Sequence, residues 1–125
     1  MTENEIAKIV FETSLELHRN YGPGMFESVY EEILSYELAK KSLYIERQKP
    51  IPVIHEEIKM EVGFRADLIV ENKVIVELKS VEELAKVHYK QVITYLKLTN
   101  YKLGLLINFN VDLLKDGFHR IVNGL

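Results

Sequence analysis

Apolar residues at the start of the chain, Ile6, Ile9, Val10 and Leu17 with Thr13 between them, return at helical spacing and predict a helix over residues 3–20. Thr2 and Glu5 make a capping box at its start. Tyr21-Gly22-Pro23-Gly24 stops it, because two glycines around a proline cannot continue a helix. A second helix is predicted from about residue 26 to 43, with Tyr30, Ile33, Leu34 and Leu38 on its buried side.

The spacing then changes to that of strands. YIERQKPIPVI at 44–54 reads as an extended segment whose prolines at 50 and 52 suit a sheet edge. Residues 58–70 and 74–80 form a hairpin around Glu71-Asn72-Lys73. Ser80 with Glu83 reads as a second capping box, opening a third helix to about residue 98. LGLLINF at 103–109 is apolar throughout, as in a fully buried strand, and Lys115-Asp116-Gly117 turns the chain into a last strand, FHRIV. The order α, α, β, β, β, α, β, β predicts one α/β (α+β) domain over residues 1–125, a mixed sheet flanked by helices.

Composition adds limits. The 125 residues are 47% hydrophobic and 28% charged, the balance of an ordinary globule with a real core. Cysteine is absent, which excludes disulfides and thiolate metal sites and leaves oxygen ligands for hard cations. No apolar run reaches membrane-spanning length, and the polar start MTENEIAK is unlike a signal peptide, so a cytoplasmic protein without a membrane partner is expected. A net charge of −3 argues against coating nucleic acid by charge alone. It leaves room for a site that gathers carboxylates around a cation.

Three charges interrupt the hairpin FRADLIVENKVIVELKS: Asp67, Glu77 and Lys79. A charge taken into a sheet core costs several kcal/mol, roughly, unless it is paired or binds an ion. Glu77 and Lys79 share one strand face. If Val70 pairs with Val74 across a three-residue loop, Asp67 lies opposite Glu77. If the loop is only Asn72-Lys73, Asp67 falls opposite Leu78 on the other face. The first register is preferred because it gathers the charges. It places two carboxylates about 5 Å apart at Cβ, a pair suited to Mg²⁺ or Mn²⁺, with the Leu78 carbonyl as a further ligand and Lys79 beside them. The competing reading is a solvent-facing strip in which Lys79 pairs with either acid.

Two helices add residues. Glu27 stands in the first turn of the second helix, where a carboxylate is ordinarily favoured, yet it shares a face with Tyr30 and Leu34 and so points inward. On the third helix Leu84, His88, Gln91, Tyr95 and Leu98 form one stripe, which directs Gln91 and Tyr95 toward the sheet or a cleft. His88 fits a core polar role as well as a functional one. Lys86, Lys90 and Lys97 lie on the opposite side, as a solvated face.

Together these residues resemble the PD-(D/E)XK nuclease superfamily, and are most similar to its short GxxExxY branch. The segment GMFESVY at 24–30 matches the branch motif, and ERQKPIPV, FRADLIV, VIVELKS, QVITYLKLT and LGLLINFNV extend the likeness from about residue 15 to 122. The resemblance implies a restriction-endonuclease-like fold, a central mixed sheet with an αβββαβ core and here an extra N-terminal helix. It implies Asp67 and Glu77 as metal ligands, with Glu27 as the acid from the preceding helix and Lys79 as the catalytic lysine. Gln91 and Tyr95 are similar to the QxxxY element of RecB-type members, and with Tyr30 they are expected as substrate contacts. Ala66 departs from the pattern, standing where a proline commonly precedes the aspartate.

The expected function is a nuclease dependent on Mg²⁺ or Mn²⁺ that hydrolyses phosphodiester bonds, with DNA favoured over RNA as the nucleic-acid partner. A binding or assembly module on the nuclease fold, without turnover, is the alternative, and homo-oligomerisation stays open.

Overall fold

The computed structural model describes residues 1–60 and 63–125. The described residues form three α-helices, α1 (Glu3–Tyr21), α2 (Glu27–Lys40) and α3 (Lys86–Thr99). Their seven strands are β1 (Ile45–Pro50), β2 (Val53–His55), β3 (Ile58–Met60), β4 (Arg65–Val70), β5 (Val74–Lys79), β6 (Leu103–Asn108) and β7 (Phe118–Val122). A 3₁₀ turn at Leu114–Asp116 precedes β7.

Five strands make the main sheet in the order β1-β4-β5-β6-β7. β5 and β6 are parallel and the other neighbours antiparallel, so the sheet is mixed, as expected. Helix α3 makes the crossover that a parallel pair requires. One apolar core lies between the sheet and α1 with α2, where Ile6, Val10, Tyr30, Leu34 and Leu38 meet Leu68, Val74, Val76, Leu78, Leu105 and Phe109. A second lies under α3, where Val92, Tyr95 and Leu96 meet Ala66, Ile69, Ile75 and Leu106. Covered on both faces, β6 is buried from end to end. Among the described residues no helix is long and apolar enough to cross a membrane.

Helix α1 begins in the expected capping box: the Glu5 N–H donates to Thr2 Oγ1, and the Thr2 N–H donates to Glu5, each at 3.1 Å. Four expectations need correction. Helix α2 stops at Lys40, because Ser42 turns left-handed at φ 66° and sends buried Leu43 into the core. The long strand expected over 58–70 is not continuous. Its first part, β3, pairs with β2 in a separate hairpin, and Glu61 and Val62 lie outside the described residues.

Helix α3 starts at Lys86, not near Ser80. The Ser80 hydroxyl donates to the Met25 carbonyl and its N–H to Glu27, which draws Ser80 to the other side of the sheet, away from the start of α3. The buried stripe of α3 also turns by about one residue: Val92 and Leu96 are inside, whereas Leu98 is exposed.

Candidate functional site

The turn of the β4–β5 hairpin settles the register. Glu71 and Asn72 both take left-handed conformations, with φ 55° and 53°, and Val70 pairs with Val74, Ile69 with Ile75 and Leu68 with Val76. Asp67 and Glu77 are next in that register. There the backbone ladder gives way to side chains. The Asp67 N–H donates to Glu77 Oε1 at 3.0 Å, and the Leu78 N–H donates to Asp67 Oδ2 at 2.9 Å.

The same interruption occurs on the other side of Asp67. Strand β1 pairs with β4 from Ile45↔Val70 to Arg47↔Leu68, omits Gln48 and Asp67, and resumes at Lys49↔Ala66. Gln48 Nε2 instead donates to Asp67 Oδ1 at 3.1 Å. The Asp67 carboxylate therefore stands at the point where both ladders open, bound to each neighbouring strand.

Glu77 is 3% exposed. Burial pushes its carboxyl up to about 8, and the Asp67 charge adds to the rise, as does a side-chain hydrogen bond to Asp67 that favours the protonated form. The bond from the Asp67 N–H and the positive charge of Lys79 pull the other way. Near neutral pH the folded protein thus holds a proton on Glu77. Lys79 is half-buried, and among the described residues no ion pair within 4.0 Å engages its ammonium. The solvent-strip reading, with Lys79 tied to an acid, is not what forms.

Glu27 opens α2 and reaches the end of β5, where its Oε2 accepts the Ser80 N–H at 3.1 Å. Ser80 Oγ donates to the Met25 carbonyl at 2.8 Å. These bonds dock the start of α2 one residue beyond Lys79, beside a cleft lined by Gly24, Met25, Phe26, Glu27, Ser28, Ser80 and Asn110.

Tyr30, expected as a substrate contact, lies inside the core. It is fully buried and stacked on Phe109 with ring centroids 4.3 Å apart. Its hydroxyl donates to the Gly22 carbonyl at 2.6 Å and accepts the Met25 N–H at 3.3 Å. The tyrosine ties down the glycine turn that aims Glu27.

From α3, Tyr95 comes up beneath the acids. It is 2% exposed and donates to the Arg65 carbonyl at 3.3 Å. Burial, followed by the negative charge of Glu77, raises its pKa, while a bond from the half-buried Gln91 side chain opposes the shift. With its hydroxyl so committed, Tyr95 is a floor to the site and not a free donor to substrate. His88 acts locally, its Nδ1 accepting the Ala85 N–H at 3.0 Å at the start of α3. Lys86, Lys90 and Lys97 are exposed, as a solvated face requires.

Sequence reasoning missed three residues. Glu31, 7% exposed on α2, receives Gln48 Nε2 on one carboxylate oxygen and Arg47 Nη2 on the other, the latter at 3.1 Å. Arg47 also reaches Glu32 at 2.9 Å. The polar run Glu46-Arg47-Gln48-Lys49 gave no periodic signal to mark it. Only the contact across β1 makes it part of the site.

A hard divalent cation fits this donor set. The ligands are carboxylate oxygens, and a positive charge would replace the proton that burial and Asp67 hold on Glu77. Among the described residues no group of three or more His, Asp and Glu side chains gathers tightly enough to hold a metal. Asp67 and Glu77 offer two carboxylates, a number with which Mg²⁺ would keep waters in its shell and take substrate phosphate oxygens.

A family model described as the PD-(D/E)XK nuclease superfamily matches residues 4–121. No curated protein and no solved structure gives a match.

Proposed function

The chain belongs to the PD-(D/E)XK nuclease superfamily, and from that premise we propose that it is a metal-dependent nuclease hydrolysing phosphodiester bonds in DNA. We assign it further to the GxxExxY branch on the segment GMFESVY at 24–30. The observation that carries the reading is the meeting of Asp67 with buried Glu77 where the β4–β5 ladder opens.

In this reading Asp67 and Glu77 hold Mg²⁺ or Mn²⁺, with the Leu78 backbone carbonyl as a further ligand and Glu27 at the rim. When bound, the cation supplies an acidified water and neutralises phosphate charge. On becoming a ligand, Glu77 would release its carboxyl proton to solvent. Lys79, whose ammonium makes no ion pair among the described residues, would direct that ammonium at the phosphate and stabilise the negative charge that grows on its oxygens as the 3′ oxygen leaves. Gln91 offers its amide to the substrate. Tyr95 and Tyr30 act from beneath, keeping β4 and the start of α2 in place.

The test is cleavage of several DNA forms with Mg²⁺ by Asp67→Ala, Glu77→Ala and Lys79→Ala proteins. Each should lose at least about a hundredfold in rate with an unchanged circular dichroism spectrum. Retained cleavage by purified Asp67→Ala would end the proposal. Cleavage of matched RNA but not DNA would reassign the substrate.

A further inference from the structure

Six non-glycine residues among those described have positive φ. Five of them, Ser42, Glu56, Glu71, Asn72 and Asn100, sit in turns or at a helix end. The sixth is Gln48, at φ 50° in the middle of β1. A glutamine gains nothing locally from the left-handed region, where its backbone is strained. Something beyond the strand must hold it there.

The contacts identify the cause. In a regular strand Arg47 and Gln48 would point to opposite faces, yet both reach the carboxylate of Glu31, one on each oxygen. The left-handed step breaks the alternation. It opens the β1–β4 ladder at Gln48 and Asp67 alone and lets one amide nitrogen donate to both Glu31 and Asp67. Glu31 is itself anchored in α2 and neutralised by Arg47. An unbroken chain of contacts thus runs from the buried face of α2, around the sheet edge, to Asp67.

We infer that Gln48 is a positioning residue for Asp67. Its amide fixes one carboxylate oxygen while the Leu78 N–H fixes the other, and the Glu31–Arg47 pair braces the amide. The orientation of Asp67 toward Glu77 is then set before any ligand arrives. The consequence for metal affinity rests on the nuclease reading above; the hold on Asp67 does not. Partners that orient a ligating carboxylate from outside commonly change metal affinity by about 10–100-fold.

Gln48→Gly separates this role from a merely structural one. Glycine takes φ 50° without strain, and position 48 is exposed on the edge strand. The variant should therefore melt no lower than the wild type while lacking the amide. Two readouts follow, both on the full-length protein. In the metal-free protein, amide hydrogen exchange should quicken at Leu78 by about tenfold or more, with Val76 unchanged, because the Leu78 N–H loses an ordered acceptor.

In calorimetry with Mn²⁺ alone, the dissociation constant should rise by about 10–100-fold. Leu78 exchange equal to that of the wild type would overturn the inference whatever the metal does. Failure of the wild type to bind Mn²⁺ would instead sink the nuclease reading, with the exchange result still deciding the role of Gln48. If Gln48→Gly melts lower, Gln48→Asn, which tolerates left-handed backbone but has a shorter reach, replaces it in the same two measurements.

Discussion

The two halves of the β4–β5 hairpin are opposites. Next to its turn, Leu68 to Val70 face Val74 to Val76 in an unbroken ladder, and all six side chains are buried aliphatics. One residue further on, the ladder stops and two carboxylates bond to backbone N–H groups instead. The closed half is stabilised by burial. The open half keeps a carboxyl group in the interior that holds together, near neutral pH, by retaining a proton. The lesson is that the same pair of strands supplies the rigid frame and, directly beside it, a gap whose electrostatic cost a cation would relieve.

The largest way to break that contrast is to move charge into the closed half. Val76→Asp puts an unpaired carboxylate at a fully buried position, at a cost of several kcal/mol or about half of a domain's stability. Urea denaturation should show a midpoint about half that of the wild type, although Glu77 occupies the adjacent position.

The converse change, Glu77→Gln, removes the charge from the open half. With a folded pKa of about 8 against an ordinary 4.5, wild-type Glu77 binds a proton in the folded state that the unfolded chain has released. Its stability is full below about pH 4.5 and declines as pH rises through about 8. Metal-free Glu77→Gln should lack this decline and exceed the wild type at pH 9 by about 2–4 kcal/mol. Thermal melts from pH 5 to 9 check the slope.

A third change probes the packing of α3, which supports the open half from below. A Cβ on Gly104 would lie 2.5 Å from Val92 Cγ1, so Gly104→Ala forces α3 away from β6. The expected loss is about 1–3 kcal/mol, read as a lower urea midpoint. The smallest effect belongs to His88→Ala, which removes the acceptor for the Ala85 N–H. It should lower stability by about 0.5–1 kcal/mol and leave Mn²⁺ affinity unchanged.

Much of this arrangement was legible from local pattern. Aliphatic residues at 68–70 and 74–76 suit either register; the cost of burying separated charges favours the pairing that puts Asp67 opposite Glu77, and the left-handed Glu71 and Asn72 realise it. What stayed hidden depends on contacts distant in sequence. Ser80 and Glu83 have the spacing of a capping box, but Ser80 bonds instead to the segment that positions Glu27. Tyr30 belongs to a motif that suggests function, yet its ring stacks on Phe109 in the core. Gln48 has no periodic mark, since its role arises only when α2, β1 and β4 are assembled.

The central claim is that Asp67 and Glu77 share one divalent cation. A crystal of the wild-type protein soaked in Mn²⁺ at pH 8 tests it most directly through anomalous scattering. The account predicts a single strong peak between the two carboxylates, lost in Asp67→Ala crystals. Mn²⁺ bound elsewhere with these two side chains unchanged, or no peak at a concentration that supports cleavage, would contradict it.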